Sequence, residues 1–301
     1  MNKYSKKYLD KISSSKVYDV VIKSPITKAE SVSSQFNNKI YLKREDLQPT
    51  RSFKIRGAYN KISNLVEKQK VKHVVTASAG NHAQGVAYSA KSLKIKSTIF
   101  MPKTTPSIKV DSVRNLGAKV ILIGDNFDAA LEDSLLFCKN KKLPFIHPFD
   151  DPLVIAGQGT IGKELLDQFD ENIDIVFVAV GGGGLISGIG AYIKSVKPKI
   201  KIIAVEAADA AGLNASLKAD KRIKLQEVGL FADGAAAKQI GKHNYKLIKE
   251  WIDDSITVST DEICAAVKDT FIDTRTIPEP TGALALAGLK KYVTSKRIRN
   301  K

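Results

Sequence analysis

The chain has 301 residues, of which 43% are hydrophobic and 7% aromatic. This length and composition suit a globular protein with a sizeable core and exclude a disordered or fibrous chain. The opening MNKYSKKYLDKISSSK lacks the continuous apolar core of a signal peptide, and no apolar run approaches the length of a membrane span. We therefore expect a cytoplasmic protein with no membrane partner.

The net charge of +17 would permit nucleic-acid binding, which depends on neutralising phosphate groups. The lysines, however, are spread through the whole sequence with no basic stripe interleaved with aromatic residues, so we expect no nucleic-acid partner. Mild attraction of anionic substrates explains the charge as well. The cysteines, Cys138 and Cys264, and the four histidines are scattered, so no metal site is predicted.

Runs of β-branched and aromatic residues are typical of strands and occur at 39–43, 73–77, 97–101, 119–123, 174–180, 201–207 and 255–258. Amphipathic segments of helical length separate most of them, such as HAQGVAYSAKSL and NFDAALEDSLLFCKN. This alternation predicts an α/β fold with two lobes, each a mostly parallel sheet covered by helices, and a cleft between them. The segment HPFDDP at 147–152 is the best candidate for the crossover between the lobes.

The stretch LQPTRSFKIRGAY at 47–59 contains a lysine in an unusual setting. Apolar residues flank Lys54 on both sides, Ser52 is suited to cap a helix that starts there, and Gly57 lets another group approach closely. Taken alone, Lys54 is either a solvated charge or a reactive amine. Other features of the chain must decide between the two.

In parallel sheets, ligands bind where the carboxyl ends of strands lead into helices. The loop VGGGGLISG at 180–188 places four consecutive glycines at one such turn. Free backbone N–H groups and a helix N-terminus there form a site for a phosphate group. A flexible turn is the alternative, but linkers seldom follow a buried strand and lead directly into a segment such as LISGIGAYI.

Two other phosphate-binding motifs are nearly matched. The dinucleotide fingerprint G-x-G-x-x-G fits from Gly182 except that its last position is Ser187, and Glu206 ends the next strand where a ribose-binding acid would stand. A dinucleotide site therefore stays open as an alternative. The segment GQGTIGKE at 157–164 has P-loop spacing, but Glu164 stands where a Ser or Thr should bind magnesium, and an acid there would repel phosphate.

The other strand-to-helix loop, TASAGNHAQG at 76–85, offers small residues, free backbone amides and the side chain of Asn81. These groups suit a carboxylate or a phenolate oxygen. A helix capped by Asn81 or Ser78 is the alternative. A reactive lysine, a phosphate loop and a carboxylate loop together match one cofactor, pyridoxal phosphate, acting on an amino acid.

Long blocks of the sequence resemble a known family. These blocks are KREDLQPTRSFKIRGAY, TASAGNHAQGVAYSA, VIAGQGT, VGGGGLISG, VGLFADGAAAKQIG and EPTGALALAGLKKY. They are similar to the pyridoxal-phosphate threonine ammonia-lyases (threonine dehydratases or deaminases), within the fold-type-II, tryptophan synthase β-like group that includes serine racemases and cysteine synthases. The resemblance runs from about Val17 to Tyr292, and the last two blocks look closest to the biosynthetic enzymes of the isoleucine pathway.

The resemblance implies one catalytic domain over residues 1–301, with the cofactor in the cleft between a small lobe (about 50–150) and a large lobe (about 1–49 plus 151–301). It makes Lys54 the Schiff-base lysine and, once substrate displaces it, the base that takes the α-proton. The implied cofactor site consists of Phe53, Lys54, Asn81 at the phenolic oxygen, and Gly181, Gly182, Gly183, Gly184 and Leu185 at the phosphate. The implied substrate carboxylate site consists of Ser78, Ala79, Gly80, Asn81 and His82.

The implied reaction is deamination of L-threonine to 2-oxobutanoate and ammonia, the first step of isoleucine biosynthesis, with L-serine to pyruvate as a second reaction. Serine racemases carry a second serine at the position of Ala79, so racemisation should be poor. Some relatives bind a metal through an acid six residues after Glu206, where this chain has Gly212, and no metal is expected. We also expect a homo-oligomer.

Family members continue beyond the GLKKY helix into a further strand with a serine-bearing turn, and biosynthetic members add a regulatory domain. This sequence ends after SKRIRNK without either, so we expect a C-terminally truncated catalytic domain that lacks the regulatory domain. An inactive remnant that keeps the fold and a dinucleotide-binding oxidoreductase are the alternatives.

Overall fold

A computed structural model describes residues 3–301 of the chain, in which strands and helices mostly alternate. The strands are β1 Ile26–Lys28, β2 Tyr41–Lys43, β3 His73–Ala77, β4 Lys96–Met101, β5 Lys119–Leu122, β6 Ile175–Ala179, β7 Lys201–Ala207 and β8 Asp254–Val258. The α-helices are α1 Lys3–Ser13, α2 Glu30–Phe36, α3 Lys54–Gln69, α4 Asn81–Ser92, α5 Ser107–Asn115, α6 Phe127–Lys141, α7 Pro152–Gln168, α8 Gly184–Val196, α9 Gly212–Lys218, α10 Lys242–Trp251, α11 Thr260–Thr274 and α12 Pro280–Ser295.

The strands pair into three sheets. β3, β4 and β5 form a parallel sheet in which Thr76 pairs with Ile99. β6, β7 and β8 form a second parallel sheet in which Ala179 pairs with Val205. β1 and β2 form a short antiparallel pair. The predicted α/β class is confirmed, and each predicted strand is present; β1 is an additional strand whose three residues are too few to show a periodic pattern.

Alternate residues of β3 face opposite layers of helices. Val74 packs with Ile62 of α3 and Val86 of α4, whereas Val75 packs with Ala130 of α6. Because helices cover both faces, the strand is apolar over most of its length, as buried parallel strands usually are.

α3 packs against α7 at a crossing where glycines replace side chains. A Cβ at Gly57 would lie 2.8 Å from the Val154 carbonyl oxygen, and a Cβ at Gly157 would lie 2.7 Å from the Gly57 Cα. The Gly57 N–H also donates to Gln158 Oε1 at 3.2 Å. The predicted close approach at Gly57 is therefore confirmed, and α7 is the element that approaches.

A buried ionic cluster joins α3, α7 and the segment that follows β2. Arg56 is fully buried and donates to Glu164 at 2.6 Å and to Glu45 at 2.7 Å. Lys43 donates to Glu164 at 2.6 Å. Burial acts to raise the pKa of Glu164, but the hydrogen bonds from Arg56 and Lys43 outweigh it and lower that pKa. The cluster thus holds the first turn of α3 in place.

The GQGTIGKE segment lies inside α7 and forms no loop. Its Glu164 side chain pairs with Arg56 and Lys43 in the buried cluster, so the P-loop alternative is wrong. The predicted crossover at 147–152 leads directly into α7, where Asp151 caps the helix by accepting from the Leu153 N–H at 2.8 Å. The boundaries of the two lobes stay a prediction.

Removing Glu164 would take away the carboxylate that Arg56 and Lys43 share and leave Arg56 with Glu45 as its one remaining carboxylate partner among the hydrogen bonds described. We expect Glu164→Ala to lower the free energy of unfolding by about 3–5 kcal/mol, measured by urea denaturation. The control is Glu171→Ala, which removes an exposed carboxylate paired with Lys39 and should leave this free energy nearly unchanged, because solvent screens an exposed pair. Equal effects of the two variants would contradict a structural role for the cluster.

Candidate cofactor site

Lys54 is the first residue of α3 and is partly buried. Its backbone N–H donates to Ser52 Oγ at 3.4 Å, although Phe53 rather than Ser52 occupies the N-cap position. The Nζ atom lies 5.3 Å from the centre of the Phe53 ring. Burial lowers the pKa of Lys54 to about 8, and the negative charge of Glu279 opposes this shift. With this pKa, about a tenth of the Lys54 amine is neutral at pH 7. For an ordinary lysine, the neutral fraction at the same pH is about one in 2500.

The N-terminus of α4 lies beside Lys54 because Gly85 lets the two helices touch. A Cβ at Gly85 would lie 3.1 Å from the carbonyl carbon of Lys54. α4 begins at Asn81, one turn before Gly85, with Gly80 at the N-cap position and no side-chain cap. Ser78 Oγ accepts from the Gly80 N–H at 3.3 Å instead. The alternative of a side-chain-capped helix is therefore wrong, and the first amides of α4 suit an anionic ligand.

Open space faces this loop. A Cβ at Gly80 would meet no atom within 4 Å, and Ser78, Ala79 and Gly80 are half-buried. The His82 side chain, in contrast, is buried, with Nε2 at 3.0 Å from the Ile146 carbonyl oxygen. Burial lowers the pKa of His82 to about 3. Its imidazole is therefore neutral and turned into the core, which leaves the backbone amide as its contribution to the predicted carboxylate site.

Phe149 and Asn244 contact the glycine loop, residues 181–184. The Gly182 carbonyl accepts from Asn244 Nδ2 at 2.9 Å, and a side chain at Gly182 would overlap the Phe149 ring. Gly183 has a φ of +92°, a conformation that favours glycine. α8 begins at Gly184 without a side-chain cap, so its first amides and positive dipole end suit an anion.

The dinucleotide alternative requires Glu206 to be available to a ribose. Glu206 is buried, and its two oxygens accept from the N–H groups of Leu213 at 2.7 Å and Asn214 at 2.8 Å, at the start of α9. Burial raises the pKa of Glu206 to about 7, while these two hydrogen bonds oppose the shift. Ser187 is buried within α8. Neither residue can contact a dinucleotide, which argues against this alternative.

One cavity of about 1550 Å³ joins the predicted segments. Phe53, Asn81 and Leu185 line it together with Glu279, and Phe53 and Leu185 pack against the same apolar cluster. The cavity also runs along β2 and along β6, the strand that leads into Gly181. Phe53, which precedes Lys54, thus faces the same space as Asn81 at the start of α4 and Leu185 at the start of α8.

Glu279, Thr281 and Phe149 belong to the site although the sequence does not predict them. Glu279 Oε1 accepts from Asn81 Nδ2 at 2.7 Å, Thr281 lines the cavity, and Phe149 packs against two of the loop glycines. The EPTGALALAG block contains Glu279 and Thr281 and was a signal that could have found them. Phe149 lies in the crossover segment, where no pattern marks it as part of a site.

A sequence profile of the family described as "Pyridoxal-phosphate dependent enzyme" matches residues 17–301, and the chain belongs to this family. Among solved structures, the processed form of threonine deaminase isoform 2 from Solanum lycopersicum is similar, with a TM-score of 0.97 and 45% identity. That match covers 100% of this chain and 83% of the tomato chain.

Two curated relatives are similar over the same region. The mitochondrial threonine dehydratase of Schizosaccharomyces pombe is 52% identical over 97% of this chain and 49% of its own length. The L-threonine dehydratase biosynthetic IlvA of Escherichia coli is 50% identical over 97% of this chain and 57% of its own length. The chain therefore spans about half the length of these relatives. The predicted family resemblance and cofactor class are confirmed; the roles of single residues stay predictions.

The residues present fit pyridoxal phosphate, which requires an amine for its aldehyde, N–H groups for its phosphate and a donor for its ring oxygen. Lys54, the uncapped start of α8 and the Asn81 amide supply these groups, and the space at Gly80 leaves room for a substrate. Over residues 3–301, no helix is long and apolar enough to cross a membrane. Among the described residues, we find no group of three or more His, Cys, Asp and Glu side chains that could hold a metal ion.

The lowered pKa of Lys54 predicts how its reactivity depends on pH. The neutral amine reacts with aldehydes, and half of Lys54 is neutral at about pH 8. We therefore expect trapping of Lys54 with an aldehyde and borohydride, read by peptide mass spectrometry, to reach half its maximum near pH 8. Exposed lysines in the same digest are the internal control, since an ordinary lysine titrates at about 10.4. A shared midpoint would contradict the burial of Lys54.

Proposed function

We propose that the chain is the catalytic unit of a threonine ammonia-lyase, which converts L-threonine to 2-oxobutanoate and ammonia with pyridoxal phosphate. The observation that carries the proposal is the close contact at Gly85, which packs the backbone of Lys54 against α4, one turn after the uncapped start of that helix. The cavity lined by Phe53, Asn81 and Leu185 supports it. The names of the relatives, threonine dehydratases and a threonine deaminase, support the choice of substrate.

Pyridoxal phosphate, when bound, supplies an aldehyde and an electron sink for the substrate α-carbon. Lys54 would hold the aldehyde carbon through Nζ, and the backbone N–H groups from Gly181 to Gly184 would hold the phosphate. The Asn81 amide would donate to the phenolic oxygen of the ring. Contacts at three separate points would fix the orientation of the ring towards the substrate.

Lys54 would act as the base once the amino group of the substrate takes its place. A pKa of about 8 leaves Nζ able to accept the α-proton near neutral pH. The backbone amides of residues 78–82 would hold the substrate carboxylate at the start of α4. The β-hydroxyl leaves with a proton as water, and hydrolysis of the released enamine takes one water back, so the sum is threonine to 2-oxobutanoate and ammonia.

L-Serine, which has the β-hydroxyl but lacks the methyl group of threonine, is the second substrate that we propose, with pyruvate as its product. The methyl group of Ala79 can neither donate nor accept a proton in acid–base catalysis, which supports elimination over racemisation at this site. A place in the isoleucine pathway accords with the biosynthetic relatives. The cytoplasmic location and the self-association of the chain stay predictions.

The test of the function is Lys54→Ala. With added pyridoxal phosphate, the wild-type chain should develop the absorbance band of the lysine-bound cofactor and form 2-oxobutanoate from threonine. Lys54→Ala should lose the band and lower the rate at least about 100-fold, because both the covalent link and the base are removed. Lys218→Ala, at an exposed lysine of α9, is the matched control and should keep both.

The two measurements separate the competing functions. A wild-type chain without the band would show that the cofactor assignment to Lys54 is wrong. A wild-type chain that has the band but forms no 2-oxobutanoate would favour the inactive remnant over the lyase.

A further inference from the structure

The Asn81 carboxamide is held by a carboxylate from the other side of the cavity. Asn81 Nδ2 donates to Glu279 Oε1 at 2.7 Å, and both residues line the cavity. Asn81 starts α4, whereas Glu279 immediately precedes α12, 198 residues later in the sequence. The hydrogen bond therefore joins two distant segments across the site.

Glu279 stands at the N-cap position of α12, but its side chain makes no hydrogen bond to that helix. The preferred cap residues are the shorter Asp, Asn, Ser and Thr, so the Glu279 carboxylate is free to bond elsewhere. Here the carboxylate is turned towards Asn81, and the turn at 233–235 packs over it. A Cβ at Gly234 would lie 3.3 Å from Glu279 Oε1 and 3.0 Å from Thr281 Oγ1. The surrounding backbone thus restricts where the carboxylate can point.

Three charged groups act on Glu279 from the elements packed around it: Asp233 from the turn, Lys109 from α5 and Lys54 from α3. Lys109 and Asp233 pair with each other at 2.6 Å. Glu279 is exposed as a residue, but partial desolvation of its carboxylate still raises its pKa, and the hydrogen bond from Asn81 is the largest of the effects that oppose this shift. The carboxylate and the amide therefore stabilise each other.

The chemistry of the two groups fixes the orientation of the amide. An ionised carboxylate only accepts hydrogen bonds, whereas a carboxamide has a donor end and an acceptor end. The nitrogen of Asn81 must therefore face Glu279, and because that nitrogen carries two N–H groups, the second stays available to the cavity. Without the carboxylate, the amide can rotate by half a turn and present its carbonyl oxygen, which would repel the ring oxygen of the cofactor.

We propose that Glu279 is a positioning residue for the cofactor, which acts through Asn81 by keeping the donor end of its amide at the cavity. This role rests on the proposed function, because it takes the phenolic oxygen of pyridoxal phosphate as the ligand of Asn81. A donor at that oxygen favours its ionised form. The absorbance spectrum of the bound cofactor, and the pH dependence of that spectrum, therefore report the orientation of the amide.

The experiment measures pyridoxal-phosphate affinity, absorbance spectrum and free energy of unfolding for four variants: Glu279→Ala, Glu279→Gln, Asn81→Ala and the Glu279→Ala/Asn81→Ala double variant. Each alanine variant should weaken affinity about 10-fold, and both should shift the spectrum in the same direction. The double variant should bind no more weakly than Asn81→Ala, because the two residues act as one unit.

The conservative variant and one control variant sharpen the comparison. Glu279→Gln keeps an oxygen that can accept from Asn81, so its affinity should return to within about 3-fold of the wild type. Glu227→Ala, which removes an exposed acid, is the matched control and should leave affinity and spectrum unchanged.

Wild-type affinity and spectrum in Glu279→Ala would overturn the role of Glu279. Losses of affinity that multiply in the double variant would overturn it as well, since Glu279 would then act independently of Asn81. If affinity falls only together with the free energy of unfolding, and the spectrum does not change, Glu279 would have a structural role and not a positioning role. If the wild-type chain binds no pyridoxal phosphate, the proposed function is wrong, and the role of Glu279, which rests on it, is wrong as well.

Discussion

The packing of α3 between α4 and α7 is the constraint on which the site depends. Glycines remove the side chains at both contacts, Gly85 on the α4 side and Gly57 on the α7 side. Arg56, two residues after Lys54, ties the same turn to Glu164 of α7 through buried charges. Because the first turn of α3 is fixed on both sides, the backbone of Lys54 is held at the junction of the three helices. The desolvation of its ammonium, and the lowered pKa, follow from that packing.

The parallel sheets explain why α4 and α8 both begin beside one cavity. β3 leads into α4 and β6 leads into α8, each through a short loop at the carboxyl end of its strand. Both helices start without a side-chain cap. A missing cap alone does not mark a site, since α5 and α10 also lack one. What distinguishes α4 and α8 is that residues of both helices, Asn81 and Leu185, line the cavity that Phe53 also lines.

Features with local causes could be predicted from the sequence. β6 and the glycine loop are contiguous, and an apolar run followed by glycines indicates a strand end whatever lies elsewhere. Contacts between distant segments could not be predicted, since no local pattern reports that Asn81 meets Glu279 198 residues later. The GQGTIGKE segment shows the same limit. Its spacing matches a phosphate loop, yet the apolar residues around it place it in α7, and Glu164 is buried because the distant residues Arg56 and Lys43 pair with it.

The cavity exceeds the volume of about 300–1000 Å³ that is usual for small-molecule sites. Besides the predicted site residues, it is lined by residues of β2 and β6. β6 reads IVFVA, apolar at every position, yet it pairs only with β7, and its other edge faces the cavity with β2 opposite. β8, at the far edge of the same sheet, reads DSITV and carries the polar residues usual for an exposed edge. β6 thus has the composition of an interior strand in an edge position. Because the interactions among Lys54, Asn81 and Glu279 strengthen as water is excluded, the covering of this edge determines how strongly the site can hold its charges.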